Sequence, residues 1–398
     1  MKRNFLRVIS GLTAVCVTVL TLACLSASAV SEGTAVPTTA EDGVASDFTL
    51  DCKSAVLMEA STGKILFEQN PAEAMPPASV TKIMTLLLVM EAIDNGQLSW
   101  EDIVTASAHA TSMGGSQIYL KEGEQMTVRD MVKSVVIASA NDAALALAEH
   151  IAGSEEAFVR RMNERSAELG MTNTHFENTN GLDDTAQNHV ASAQDIAIMS
   201  RALIAYPEIL TFSSTWMDTV RGGAFGLTNT NRLVRFYRGC NGLKTGSTSK
   251  AGFCVSVTAE RDSMTLICVI MGAESSNVRN AAATQLLDWG FATYGLYTCE
   301  AKQLTPLRVT GGQTPTVPIG YPAFSCVLPK GDVASVEIKT EVPESVAAPI
   351  LQGESVGKVT YTCKGKIVGE SPITAAETSE KIGYWGLFRR MLARFLLA

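Results

Sequence analysis

Strand-like segments stand at both ends of a long helix-rich stretch, and this constrains the fold of the 398-residue chain most. Ser54–Glu59 and Lys64–Glu68 are short β-like runs around Ala60-Ser61-Thr62-Gly63, a hairpin signal. Phe253–Ala259 and Met264–Gly272 are β-rich runs joined by Glu260-Arg261-Asp262-Ser263. Between these pairs, Ser79 to Asn95 contains neither Gly nor Pro, and Ile83, Leu86, Leu87, Met90 and Ile93 recur at helical spacing. Pro76-Pro77 precede that helix and Asn95-Gly96 end it. Residues 127–152, 155–170 and 192–206 read as further helices, the last stopped before Pro207, and Asn277–Tyr294 as an amphipathic one. Strands on either side of a helical middle bury their faces by pairing with each other. The expectation is a mixed α/β fold: one mixed sheet closed by both ends of the segment, with an inserted helical lobe. From about residue 299 to 375 the chain is Thr-, Val- and Pro-rich without a convincing helix, which reads as a separate small all-β domain.

The charge distribution excludes whole classes of function. Formal net charge is −8, yet residues 1–29 carry three cations and no acid, and residues 381–398 carry four. Those seven charges leave −15 on residues 30–380, an acidic body that is a poor partner for nucleic acid. At the start, a basic Met1–Arg7, an apolar Val8–Leu25 and the small-residue pattern Ala27-Ser28-Ala29 read as a signal peptide over 1–29, cut after Ala29. A retained transmembrane anchor is the competing reading; a lipoprotein cleavage at Cys24 would place Thr21 where that motif wants Leu. Residues 30–48 read as a linker. Seven scattered cysteines follow with no C-x-x-C, which gives neither a zinc site nor a readable disulfide framework. Cys254 and Cys268 fall on opposite faces of the expected sheet, and most of the seven read as small buried hydrophobes.

Three short motifs carry chemistry: Ser79-Val80-Thr81-Lys82, Ser139-Ala140-Asn141 and Lys244-Thr245-Gly246. Decoys exist, since Ser61…Lys64 and Ser247…Lys250 repeat the first pattern and Ser275-Ser276-Asn277 the second. Only Ser79 opens a long apolar helix, where free backbone N–H groups favour developing negative charge. Residues three apart share a helix face, so Lys82 can reach the Ser79 hydroxyl. A serine needs an adjacent base. Lys82 can serve only if neutral, which requires burial and a neighbouring cation, and Lys244 is a candidate neighbour. Taken alone, the same residues read as an N-cap and a solvated lysine. The four histidines show no metal-ligand spacing and read as structural; no G-x-S-x-G, phosphate loop or dinucleotide fingerprint occurs, so no metal or cofactor is expected. Glu177 reads as a loop carboxylate.

The trio in this order characterises penicillin-binding proteins and class A β-lactamases. The chain resembles a serine-type D-alanyl-D-alanine carboxypeptidase of the low-molecular-mass penicillin-binding protein class over nearly all of residues 30–398. The resemblance rests on Pro77–Lys82, Ser139–Ala143, Phe176–Leu182 and Lys244–Gly246 running on to Lys250-Ala251-Gly252. It implies a β-lactamase/DD-peptidase-like transpeptidase fold over 49–297, a β domain over 298–376 and a membrane-anchoring tail over 377–398. It also implies roles. Ser79 is similar to the acylated nucleophile, Lys82 to its base and Ser139 to a proton relay. Asn141 resembles the group holding the substrate amide, and Lys244 and Thr245 the anchors of the C-terminal carboxylate. Gly246 completes that strand motif; the N–H groups of Ser79 and Ser247 resemble an oxyanion hole. Arg279 falls where some relatives place a carboxylate-region arginine, against the reading of a surface helix charge. Ser247 stands where some relatives have His, and Thr230 near where some have Arg.

The implied partners are the peptidoglycan stem peptide, β-lactams as inhibitors and the outer face of the membrane, with no nucleic acid. Two other functions stay open at this point. A β-lactamase would want a second base, commonly Glu with Asn four residues on, whereas Glu177 is followed four on by Gly181. A penicillin-sensing or wall-binding module could keep all three motifs. For the tail, a helix would put Trp385, Phe388, Met391, Leu392 and Phe395 on one side and Arg390 and Arg394 opposite, with Arg389 at the edge. Such a helix suits the plane of an anionic lipid surface rather than a span, or else docks on the β domain.

Overall fold

Successive side chains of a strand point to opposite faces, so an apolar run feeds two cores at once. In the computed structural model, which describes residues 48–182 and 186–396, five strands form one sheet. They are β1 (Ser54–Glu59), β2 (Ile65–Gln69), β3 (Cys240–Thr248), β4 (Gly252–Arg261) and β5 (Met264–Ala273), in spatial order β2-β1-β5-β4-β3. Val56 and Met58 of β1 and Ile267, Val269 and Met271 of β5 enter the core under the helical lobe; Ala55, Leu57, Leu266, Cys268 and Ile270 enter the core on the other face. Cys254 and Cys268 divide between those cores as the period-two count expects. Every ladder is antiparallel, which corrects the expected mixed sheet: two hairpins join β3, β4 and β5, and the closure of β1 on β5 is also antiparallel.

The lobe between β2 and β3 is built on α1 (Lys82–Asp94), α2 (Val128–Ala138), α3 (Asn141–Ala152), α4 (Glu155–Glu168) and α5 (Ala193–Ile204). Thr127, Ser154 and Ser192 cap three of these by accepting from the N–H three residues on. Two expectations need correction. Ser79 does not lie in the α-helix itself: Ala78–Thr81 form a 3₁₀ turn, and α1 begins at Lys82. Residues 127–152 are two helices, because Ser139 adopts φ 61, ψ 30 and ends α2, and α3 restarts at Asn141. The far face of the sheet is covered by α6 (Ser276–Thr293).

Beyond α6, β6 (Tyr294–Cys299) pairs with β9 (Phe324–Pro329). A six-stranded sheet with its own core follows, made of β7 (Lys302–Thr310), β8 (Thr316–Tyr321), β10 (Val336–Glu341), β11 (Ser345–Ala347), β12 (Ser355–Cys363) and β13 (Lys366–Ala375). The last helix, α7 (Tyr384–Leu396), leaves Trp385, Phe388, Met391, Leu392 and Phe395 exposed, and Arg390 donates to the Gln313 carbonyl at 2.6 Å. Among the described residues no helix is long and apolar enough to cross a membrane. The leader and all but the last residue of the linker, residues 1–47, lie outside the described residues, as does the Arg394 side chain.

Candidate active site

Two of the three motifs, far apart in sequence, meet where β3 passes the 3₁₀ turn before α1, and the residue after the third, Asp142, lies close enough to act on Lys82. Gly246 makes that approach possible: a Cβ there would sit 2.7 Å from the Ser79 nitrogen and 2.9 Å from the Pro77 oxygen. Only a residue without a side chain lets two backbones come so close. Ser79 remains half accessible at the turn, and Ser247, next to Gly246, is exposed. Ala78, just before Ser79, takes φ +49, an uncommon value for a non-glycine residue.

Lys82 Nζ lies 2.9 Å from Ser79 Oγ and donates to the Asn180 carbonyl at 2.8 Å. Its side chain is fully buried. Burial first, and the Lys244 charge second, push its pKa well below the ordinary lysine range; the nearby Asp142 carboxylate opposes this. Lys244 is itself buried, donates to the Thr245 carbonyl at 2.9 Å and is held down to about 7, by burial first and then by Arg279. Arg279 is only 5 % exposed, which removes the surface-charge reading. Its guanidinium bonds to Asn280 Oδ1 and to the Cys254 carbonyl of β4. Thr245 Oγ1 donates to Thr230 Oγ1 at 2.7 Å.

Ser139 and Asn141 flank the break between α2 and α3. Asn141 donates from its amide nitrogen to the Gly114 carbonyl and from its backbone to the Ser116 carbonyl, both at 2.7 Å. Its Oδ1 is buried without a hydrogen-bond partner among the described residues. Asp142 accepts from the Ile118, Leu120 and Ala143 backbone N–H groups.

Sequence reasoning read Glu177 as a loop carboxylate and His189 as structural but gave Asn178, Asn180 and Gly181 no individual role; these residues brace the turn that bears Ser79. Asn178 Oδ1 accepts from Asn180 and Gly181 N–H in an Asx turn that presents the Asn180 carbonyl to Lys82. Gly181 has φ +84, and a Cβ there would lie 1.8 Å from the Ala78 oxygen. His189, 6 % exposed, accepts at Nδ1 from the Glu177 N–H at 3.0 Å, so Nε2 carries the proton and donates to Thr81 Oγ1 at 2.7 Å. Thr81 then donates to the Ala78 oxygen at 2.8 Å. Burial lowers His189 to about 4, which keeps it neutral. The Asn-Thr-Asn-Gly turn signal of residues 178–181 was visible; what it leans on was not.

Two of the three decoys are otherwise engaged. Ser61 bonds the buried Glu59 carboxylate through both N–H and hydroxyl, and Ser275 caps α6. Glu177 accepts from the Gln187 and Asn188 N–H groups. Among the described residues no cluster of ligating side chains could hold a metal ion.

Known proteins match the chain over most of its length. A family model described as D-alanyl-D-alanine carboxypeptidase matches residues 39–275, and one for the C-terminal domain of penicillin-binding protein 5 matches residues 299–381. D-alanyl-D-alanine carboxypeptidase DacF of Bacillus subtilis is 41 % identical over 354 residues, covering 87 % of this chain and 90 % of its own. Penicillin-binding protein 5 of Haemophilus influenzae superposes with a TM-score of 0.75 at 31 % identity, covering 85 % of this chain and all of that one. Penicillin-binding protein D2 of Listeria monocytogenes, solved in its ampicillin-bound form, gives a TM-score of 0.57 at 33 % identity, covering 62 % of this chain and all of that one.

Proposed function

The chain belongs to the D-alanyl-D-alanine carboxypeptidase family and is a serine hydrolase of that type, and from this premise we propose that Ser79 is the nucleophile that removes the terminal D-alanine from peptidoglycan stem pentapeptides. One observation carries the reading: a buried lysine with a depressed pKa stands 2.9 Å from the hydroxyl of a half-accessible serine. Neutral Lys82 takes the Ser79 proton as Oγ attacks the carbonyl of the penultimate D-alanine. The tetrahedral oxyanion is met by the N–H groups of Ser79 and Ser247, a pairing that the close packing at Gly246 supports. Asn141 Oδ1, a buried acceptor with no partner among the described residues, takes a substrate amide N–H.

Protonated Lys244, Thr245 and Arg279 hold the terminal carboxylate through charge-assisted bonds. Ser139 passes the proton to the leaving amine; the C–N bond breaks, and free D-alanine departs from an ester on Ser79. Water then hydrolyses the ester, and the serine recovers its proton. A β-lactam ring opens on the same hydroxyl, a role favoured by the ampicillin-bound relative.

The protein works outside the cytoplasm, exported by residues 1–29, with residues 49–297 as the catalytic domain and 298–376 as the β domain. Residues 377–398 lie on the outer face of the membrane without crossing it, a placement supported by the exposed aromatic face of α7. The decisive experiment incubates the protein with labelled penicillin and, separately, with a D-Ala-D-Ala peptide. The expected result is label at Ser79, none in Ser79→Ala, and repeated release of D-alanine. Label at Ser61 or Ser247 would overturn the assignment, and release that stops after one equivalent would make the protein a sensor.

A further inference from the structure

Two bulky residues in the left-handed region face each other beside the Asn141 side of the site. Tyr119 has φ +57 and Arg221 φ +54. Such a backbone costs about 1–3 kcal/mol per residue and persists only where its surroundings impose it. Here they do. The Asp142 carboxylate accepts from Ile118 N–H at 3.2 Å and from Leu120 N–H at 3.0 Å, one residue either side of Tyr119. Arg221 donates to the Ile118 carbonyl at 2.8 Å and to the Tyr119 carbonyl at 3.4 Å, while Glu124 holds its guanidinium at 2.6 Å.

The strain at Tyr119 gains its own side chain little packing: Tyr119 is 69 % exposed, and among the described residues its ring meets Phe225 edge-on at 6.3 Å. What the clamp achieves is display of an aromatic ring. Tyr119, Phe225, Lys121, Glu122, Glu124 and Arg221 line an open cavity of about 610 Å³. Its two cations and two carboxylates balance, so it favours a neutral ligand over a charged one. Two aromatic rings offer an apolar wall, and Lys121 and Glu122 offer a donor and an acceptor. A neutral ring with an apolar C–H face and hydroxyl or acetamido edges has the matching chemistry.

We propose that this cavity is a saccharide subsite, taking an N-acetylated sugar of the glycan that carries the stem peptide. The inference deepens the proposed carboxypeptidase reading and rests on it for its substrate. Wild type, Tyr119→Ala and Tyr119→Trp are compared on a free pentapeptide and on the same pentapeptide linked to its disaccharide. Wild type favours the linked substrate by about fivefold or more in kcat/KM. Tyr119→Ala loses that preference while free-peptide turnover stays within about twofold, and Tyr119→Trp regains at least half of it. Equal kcat/KM for both substrates in wild type, a preference that survives in Tyr119→Ala, or an equal loss on both substrates overturns the subsite. Saturation-transfer NMR with the peptide-free disaccharide gives a readout independent of catalysis: signal in wild type and none in Tyr119→Ala. Failure of the free peptide to turn over, with disaccharide signal intact, removes the carboxypeptidase reading and leaves the subsite standing.

Discussion

Replacing Lys82 with arginine separates proton transfer from mere charge. Arginine cannot shed its proton at working pH. Lys82→Arg therefore loses the base, a contribution of about 10²–10⁴-fold to the acylation rate. It also forces a permanent cation into a site where the native lysine is fully buried and already repelled by Lys244. The Asn180 carbonyl, the Ser79 hydroxyl and the Asp142 carboxylate together do not offset burial and the Lys244 charge. An uncompensated buried charge costs about 3–5 kcal/mol. In a domain of this size, where 1 kcal/mol moves Tm by about 2–4 °C, the expected drop is on the order of 6–20 °C.

Lys82→Met is the matching control. It lacks both base and charge and leaves chiefly the Asn180 carbonyl unsatisfied, at about 1–3 kcal/mol. Stopped-flow acylation by a chromogenic β-lactam and thermal unfolding, run side by side, read the two effects. The two variants are expected to acylate at equally low rates and to melt at clearly different temperatures. Lys82→Arg acylating within tenfold of wild type would refute the base argument outright.

The pH profile follows from the paired lysines. Activity in kcat/KM rises as Lys82 loses its proton, well below the ordinary lysine range, and falls near pH 7 as Lys244 loses the charge that holds the carboxylate. A plateau from pH 6 to 10 would contradict it. Stability obeys the opposite sense for Lys244: with the folded pKa at about 7 against 10.5 unfolded, the unfolded chain binds more protons between those values, so stability grows with rising pH across that window, as denaturant titrations should show. Gly181→Ala should lower Tm and slow acylation together, because its Cβ meets the Ala78 oxygen; an unchanged acylation rate would show that the turn is not braced there. Truncation after Glu380 should move the protein from the membrane to the soluble fraction with peptide turnover unchanged, and a truncated form that still sediments would place the anchor elsewhere.

Legibility in the sequence followed the range of each interaction. Ser79 and Lys82 were readable because helical spacing alone joins them, and the 2.9 Å contact is local. The sheet was readable from short, nearly continuous apolar runs such as β1 and β5, though their shared antiparallel sense depended on the closing pair. The break at Ser139 escaped because no Gly or Pro marks it: a serine adopts the left-handed turn, and Asn141 restarts the helix. Arg279 could not be judged from its helix, since what buries it is packed from β4, and a charge on a helix start looks the same either way. The roles of Asn180, Gly181 and His189 rest on contacts with Ala78, Thr81 and Lys82, roughly a hundred residues earlier, which no local pattern encodes.

The pairing of β1 with β5 also sets a timetable. Leu57 lies opposite Cys268, so the central ladder joins residues more than two hundred apart, and β3 reaches the sheet only through β4. Loop closure over such a span must precede any reward from the pairing, which makes assembly slow. Until residue 273 has left the ribosome, β1 and β2 are a hairpin without a sheet, and the turn bearing Ser79 has no Gly246 against it. The reactive hydroxyl and its lysine, though joined locally, therefore gain the Gly246 backbone packed against their turn only with the late strands of the sheet. An unfolded chain carries the residues of the site without the packing that buries Lys82 and Lys244 in the folded one.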